Sequence, residues 1–231
     1  MTKPIKMTEI IERFKGSWLN LTDVRKGNNS QKYTIADGAL AAFSVFFMQS
    51  PSFLAFQRDM EQKKRNSNAQ TLFKMAQIPS DQQIRNLLDP VSPTEIHADY
   101  WWMLGELAAA GHLESYQGFQ ATLMIALDGV TFHSSTQIHC DCCQLRRDSQ
   151  ETVHYYHSAI APVIVKPDCP HVLALPPESI APQDGHEKQG PSGHPERAAA
   201  KRWLAQHSTR FAPYRITYLG HDCMPTSRSV N

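Results

Sequence analysis

The sequence predicts an α+β protein, with a helical N-terminal region over residues 1–118 and a partial α/β domain over residues 119–231. Well-marked helix starts lie in the first region, and no strand pattern interrupts it. After Gly118, short apolar and β-branched segments alternate with turn residues, and a helical segment precedes the last of them. The order strand, strand, strand, helix, strand is typical of three neighbouring strands and a crossover helix into a fourth.

Capping residues and apolar spacing define the predicted helices of the N-terminal region. Ser80 and Gln83 match a capping box, which predicts a helix starting there. Ser92 is followed by a proline at the first helical position and by Glu95, which predicts another. Apolar residues dominate 34–48, and this segment is predicted to be a helix buried on most sides.

The charge of the chain is nearly balanced, at +1 with histidine neutral, which excludes a broadly basic surface but leaves a local basic patch open. One basic run contains Lys63, Lys64 and Arg65. Such a run indicates a solvated helix face or, as the sharper alternative, contact with DNA phosphates. The chain has no apolar stretch of membrane-span length and no apolar leader at its N-terminus. These features predict a cytoplasmic protein without membrane segments.

The predicted strands of the second region share short runs of apolar, β-branched or aromatic residues. Pro162 indicates a bend or an edge position in the second of them. The strands are predicted over 122–127, 152–165, 171–175 and 215–219, with a loop over 176–193 and a helix over 195–207.

Asp128 ends the first predicted strand, within the apolar stretch Leu123–His133. A continuous apolar run bounded by a turn signal indicates a strand buried on both faces. Asp128 then either starts a turn before Gly129 or holds a metal, because magnesium prefers a few hard oxygen ligands. The last predicted strand ends shortly before Asp222. Both carboxylates could therefore meet at one sheet edge and hold one or two Mg2+ ions.

The cysteines suggest a second kind of metal site. The chain has five of them, and their clustering argues against a disulfide framework. Cys140 and Cys143 have the Cys-x-x-Cys spacing of zinc ligands, and His157 is expected as a third ligand because thiolate and imidazole suit Zn2+. A fourth ligand is expected from one of His139, His154 or Cys169. The alternative interpretation is a set of reduced surface thiols on a hairpin.

Seven segments between residues 78 and 222 carry a family resemblance that extends over most of the chain. They are Ile78–Asp89, Leu127–Gly129, Tyr155–Ser158, Leu173–Glu178, Gln183–Gln189, Ala198–Leu204 and Thr217–Asp222. Together they resemble the DDE transposases of bacterial insertion sequences, which have a ribonuclease-H-like catalytic core. The resemblance implies a partial ribonuclease-H-like domain, Asp128 as the first catalytic acid and Mg2+ as the cofactor. It also implies DNA, both element ends and target, as the partner, and it allows for a homo-oligomer.

The chain departs from this family at its second acid. The family has a Leu-Gly-Asp-Asp-Leu-Tyr segment, whereas Leu219–Met224 reads Leu-Gly-His-Asp-Cys-Met. Asp222 is the surviving candidate, and which of His221 and Asp222 corresponds to the family acid stays open. The third acid, a glutamate on a later helix, is expected beyond residue 231. We therefore expect a transposase-like protein for metal-dependent DNA strand cleavage and transfer that is an inactive fragment as it stands. The alternative is a non-catalytic DNA- or zinc-binding remnant.

Overall fold

The structure is a computed structural model that describes residues 6–25, 32–63, 67–181 and 195–220. It confirms the predicted α+β fold with a helical N-terminal region. Two compact units divide the chain, Met1–Asp99 and Tyr100–Asn231. Among the described helices, none combines the length and the apolar character that a membrane crossing requires. The division of roles between residues 1–118 and 119–231 stays a prediction.

The first unit is helical, and the capping boxes predicted for it are present. The backbone N–H of Gln83 donates to Ser80 Oγ at 3.3 Å, and Gln83 Oε1 accepts the Ser80 N–H at 3.0 Å. Ser92 and Glu95 form the same arrangement before a short 3-10 turn. The helices are α1 Met7–Trp18, α2 Ile35–Phe47, α3 Phe53–Gln62, α4 Asn68–Thr71, α5 Asp81–Leu88 and the start of α6 His97–Ala109.

An aromatic cluster fills the core of the first unit. Phe43 of α2 makes edge contacts with Phe14 and Phe73, at ring-centroid distances of 5.5 and 6.2 Å. The Trp18 indole Nε1–H donates to Oδ2 of the buried Asp99 at 2.9 Å, which satisfies one oxygen of a carboxylate held away from water. Leu40 and Ala41 of α2 are buried in this core as predicted for 34–48, whereas Phe46 at the end of that helix is 76% exposed.

The second unit contains the strands and the crossover helix α7 Pro195–His207. The predicted strands 122–127 and 215–219 and the helix 195–207 are confirmed almost to the residue. The strands are β1 Thr122–Leu127, β2 Gly129–Ser135, β3 Gln144–Arg147, β4 Val153–Ile160, β5 Val163–Val165, β6 Leu173–Ala174, β7 Glu178–Ile180 and β8 Arg215–Gly220.

The order of the first sheet fits the predicted topology, whereas the second sheet was not predicted. One sheet has the order β6-β5-β1-β8, and the other has the order β2-β4-β3 with β7 also paired to β4. β5 runs antiparallel to β1, β6 runs antiparallel to β5, and β8 lies parallel to β1 on its other side. Helix α7 precedes β8 in the chain and forms part of the crossover connection that a pair of parallel strands requires.

β1 and β2 form one continuous ribbon with β4 and β5. The register that pairs Ala126 with Val163 continues unchanged to the pairing of Gly129 with Ile160. Between them, the backbone carbonyl of Asp128 accepts the Ala161 N–H at 2.9 Å. Pro162 lies in the two-residue break between β4 and β5, where a residue that cannot donate to the ladder is tolerated. Asp128 therefore follows the last residue of β1 and also lies within this continuous ribbon.

The core of the second unit lies between α7 and the first sheet. Trp203 is fully buried, and it packs in one cluster with Leu123, Ile125 and Ile164. Its indole Nε1–H donates to the Pro176 carbonyl at 2.8 Å. Helix α7 is therefore held to the sheet both by apolar contact and by a buried hydrogen bond.

Two local expectations differ from the structure. Leu123 and Ile125 are buried, but their neighbours in β1 are half-buried, so this strand alternates instead of being buried equally on both faces. The loop predicted over 176–193 contains β7 at its start, and residues 182–194 lie outside the described part. Two prolines precede β7, which has only three residues, so the sequence pattern of a loop masks this short strand.

Candidate metal sites

Cys140, Cys143 and His157 meet at the end of the β2–β4 ribbon. Cys140 Sγ lies 3.8 Å from Cys143 Sγ, and each sulfur lies 3.3 Å from His157 Nε2. These three ligand atoms form a group close enough to bind a metal ion. The predicted association of the Cys-x-x-Cys pair with His157 is therefore confirmed as geometry.

The sulfur–sulfur separation matches that of a metal with tetrahedral coordination, and the two sulfur–nitrogen separations of 3.3 Å are slightly shorter than expected. With Zn–S near 2.3 Å and Zn–N near 2.0–2.1 Å, tetrahedral angles place two sulfurs about 3.8 Å apart and sulfur and nitrogen about 3.5 Å apart. The observed sulfur separation of 3.8 Å agrees with this and far exceeds the roughly 2.0 Å of a disulfide. The residues present therefore fit a zinc ion.

The ribbon and a tight turn position these ligands. His157 lies on β4 opposite His133, next to a β-bulge between Thr131 and His133. The Cys143 backbone N–H donates to the Cys140 carbonyl at 3.1 Å, which folds the Cys-x-x-Cys segment into a turn. The extra bulge residue, Phe132, stacks on His157 with an interplanar angle of 13°. A bulge at this point re-aims side chains toward the turn.

The three residues expected as a fourth ligand all have other surroundings, which corrects that expectation. His139 Nδ1 lies 3.1 Å from the Gln137 carbonyl, and its ring stacks on Tyr155. His154 Nε2 lies 3.0 Å from Asp148 Oδ2. Cys169 packs at the core of the second unit. Strand alternation explains His154, because it points to the opposite sheet face from His157.

The Cys143 thiol is buried at the centre of this group. The Cys140 backbone N–H donates to its Sγ and favours the thiolate, but burial and the adjacent Cys140 side chain outweigh this effect and raise the pKa of the Cys143 thiol. A bound cation reverses this balance, because a coordinating thiol is deprotonated. The Cys143 thiol is therefore protonated without metal and loses its proton when a metal binds.

The Asp148–His154 pair predicts a specific acid sensitivity. The hydrogen bond from His154, followed by backbone N–H bonds from Thr152 and Gln150, lowers the pKa of Asp148 below its usual range. A carboxyl group whose pKa is lower in the folded state than in the unfolded state stabilises the fold at pH values above the unfolded pKa of about 3.9. This stabilisation is lost as the pH falls through the pKa of the folded state. Asp148→Asn should lower the melting temperature at pH 7 and lower it less at pH 3.

The control is Asp141→Asn, at an exposed position in the loop between β2 and β3. Melting curves of both variants and the wild type at the two pH values check this prediction. A melting-temperature difference for Asp148→Asn that is equal at both pH values contradicts it.

Asp128 marks the second candidate site, at the edge where β1 and β8 end together. Leu127 pairs with Gly220, so the two parallel strands finish side by side. Asp128 is exposed, and its Oδ1 accepts the Gly129 backbone N–H at 2.9 Å, which is the contact of a local turn. Asp222, the second predicted carboxylate, and His221 lie outside the described residues.

Glu196 brings a carboxylate to this edge that the sequence did not indicate. A Cβ added to Gly129 would overlap the Glu196 carboxylate at the start of α7. The glycine after Asp128 therefore allows the helix start to approach the ribbon closely. The only sequence signal was an acidic residue in the first helical turn, which usually just stabilises the helix dipole.

Of the predicted DNA contacts, Lys63 lies at the end of α3. Lys63 Nζ lies 2.7 Å from Asp59 Oδ1, one helical turn earlier, and both side chains are largely exposed. Ion pairs between exposed side chains contribute little stabilisation, so Lys63 remains available to bind a phosphate. Lys64 and Arg65 lie outside the described residues.

Comparisons with models of known families, with curated proteins and with solved structures give no match to this chain.

Proposed function

We propose that this protein is a transposase-like protein for metal-dependent cleavage and transfer of DNA strands. The observation that supports this proposal is the parallel register of β1 and β8, in which Leu127 pairs with Gly220. Asp128 follows the first of these strands directly, and Asp222 follows the second by two residues. Ligands of α/β sheets gather at such carboxyl ends.

The proposal assigns a part to each candidate residue, of which Asp222, Lys64 and Arg65 lie outside the described residues. Asp128 and Asp222 would hold Mg2+, which neutralises charge on a phosphodiester under attack when bound. The Asp128 side chain is exposed at the edge, so DNA can approach it from solvent. Glu196 adds negative charge beside Gly129 and favours a cation there. Lys63, with Lys64 and Arg65, would contact DNA phosphates.

Asp128→Asn tests the proposed edge. We expect this variant to lose Mn2+ binding at this edge, and to lose by roughly a hundred- to a thousandfold whatever divalent-metal-dependent nicking of supercoiled DNA the wild type shows, as when one electrostatic group of an active site is removed. Gel assays with Mg2+ and with Mn2+ measure the rate, and calorimetry with Mn2+ measures binding in the same samples. The sheet should remain intact, because the ladder uses the Asp128 carbonyl and not its side chain.

Asp168→Asn is the matched control, because it removes one exposed carboxylate from the turn after β5. That turn lies near the start of β1, whereas Asp128 lies near its end. Equal nicking and equal Mn2+ binding by the wild type and Asp128→Asn would refute a role for this edge.

A zinc-binding function is the second candidate, favoured by the donor triangle of Cys140, Cys143 and His157. We propose that zinc bound there fastens the loop after β2 to β4, with or without catalysis elsewhere. Metal analysis of purified protein should find close to one zinc per chain, and Cys143→Ser should remove it. Cys142→Ser is the control, because this exposed thiol lies in the same turn but outside the triangle. Zinc-free protein with reactive thiols at 140 and 143 would rule the site out.

The two candidates are separable by these measurements. A protein that binds zinc and DNA but shows no nicking that depends on Asp128 is the non-catalytic alternative. DNA binding by contact with phosphates should weaken steeply as the salt concentration rises.

A further inference from the structure

We propose that the metal held by Cys140, Cys143 and His157 keeps a fourth coordination position that takes a small thiol from solution, bound as its thiolate. This inference rests on the zinc site of the proposed function and adds the class of ligand that this site accepts.

The first argument is the number of ligands. A tetrahedral zinc ion needs four, and a site with three protein ligands completes its shell with water or another ligand. Within the described ranges, no further histidine, cysteine or carboxylate joins this triangle. Both His139 and His154 point their hydrogen bonds elsewhere, to Gln137 and Asp148.

The second argument is the one-sided burial of the triangle. Cys143 is buried, His157 is half-buried and Cys140 is exposed. The closed side of the site is therefore at Cys143, and the open side faces solvent next to Cys140. A ligand from solution can reach the metal from that direction without any movement of the ribbon.

The third argument identifies the chemistry of the ligand. Zinc that already has two sulfur ligands is well matched to a soft thiolate. The ring of Phe132 stacks on His157 at a centroid distance of 5.9 Å, and 66% of Phe132 remains exposed. An apolar substituent on the thiol would cover this ring, so thiols with an apolar body are preferred over small polar ones.

The exchange balances simply. A water molecule leaves the fourth position, the incoming thiol binds as thiolate, and its proton goes to the buffer. No electron is transferred, and the protein sulfurs stay in their reduced state. Affinity should therefore rise with pH until the free thiol is itself ionised.

Cobalt in place of zinc gives a visible readout. The protein is purified with a phosphine reductant, so that no thiol is present, and Co2+ is added. We expect a thiolate-to-cobalt charge-transfer band from two sulfurs, rising about 1.5-fold when 2-phenylethanethiol supplies a third. Ethanethiol should give the same final spectrum at a severalfold higher concentration, and Phe132→Ala should remove that difference.

Variants of the other thiols and histidines determine whether the protein or the solution supplies the fourth ligand of the metal. Cys142→Ser, Cys223→Ser, His133→Ala and His139→Ala should each leave the starting spectrum unchanged. A loss of intensity or a band shift in any of them, or a dimer that depends on protein concentration, means that the protein supplies the fourth ligand, which overturns this inference. Binding of Co2+ with no response to either thiol also overturns it. Failure of the wild type to bind Co2+ instead refutes the zinc site itself.

Discussion

Trp203→Ala is expected to lower the free energy of unfolding of the sheet-bearing unit by about 3–5 kcal/mol. Trp203 is fully buried between α7 and the sheet, so the substitution leaves a cavity the size of an indole ring. It also leaves the Pro176 carbonyl without the indole donor that now satisfies it. A loss of this size is a large fraction of the stability of a typical domain.

Denaturant unfolding followed by circular dichroism measures this loss, because that signal does not depend on the deleted indole. Trp203→Phe should cost less, since a phenyl ring fills part of the space. Lys201→Ala, at an exposed position of the same helix, should change stability little. A loss below about 1 kcal/mol for Trp203→Ala would mean that α7 is not fixed to the sheet through this residue.

Removal of the metal is the second change with a large expected effect. Ligand linkage stabilises a folded site by about 4.1 kcal/mol when free zinc is a thousandfold above its dissociation constant, and a chelator removes this contribution. The loop between β2 and β3 should lose protection of its backbone amides first, because residues 136–143 have few backbone hydrogen bonds of their own. The remainder of the sheet should keep its protection.

Hydrogen exchange of wild type and Cys143→Ser, each with zinc and with chelator, measures this effect. The chelator should increase exchange in this loop of the wild type and should have no effect on Cys143→Ser. Cys142→Ser should behave as the wild type does. An equal response of Cys143→Ser and the wild type to chelator would contradict a stabilising role for this site.

The sequence predicts the elements whose apolar pattern is long or well bounded. β1 and β8 have short apolar runs between turn signals, and α7 buries Ala199 and Trp203 at helical spacing after Pro195, which marks its start. β2 and β3 escape the prediction because most of their side chains are exposed, so their patterns resemble those of loops. Their pairing with β4 is what makes them strands, and pairing between distant segments leaves little trace in a local pattern.

The candidate sites are likewise predictable from the sequence only where their residues are close together in the chain. The Cys140–Cys143 spacing is local, so the sequence indicates it directly, and His157 joins through its register on β4. The assignment of a fourth ligand was wrong because it required knowing which strand face each histidine occupies. Glu196 was not indicated because its approach to Gly129 depends on how α7 packs on the ribbon.

The continuous ribbon through Asp128 has a consequence for metal selectivity. Asp128 lies opposite Ala161, and His157 lies four residues further along the same strand, so about 13 Å of strand separate the two positions. That distance exceeds the screening length of about 8 Å at physiological salt, so a charge at one end affects binding at the other only weakly. One end offers sulfur and imidazole, and the other offers carboxylate oxygen. Under the two proposals, the ribbon would bind a soft cation near the Cys140–Cys143 turn and a hard cation near Asp128, each with little effect on the other.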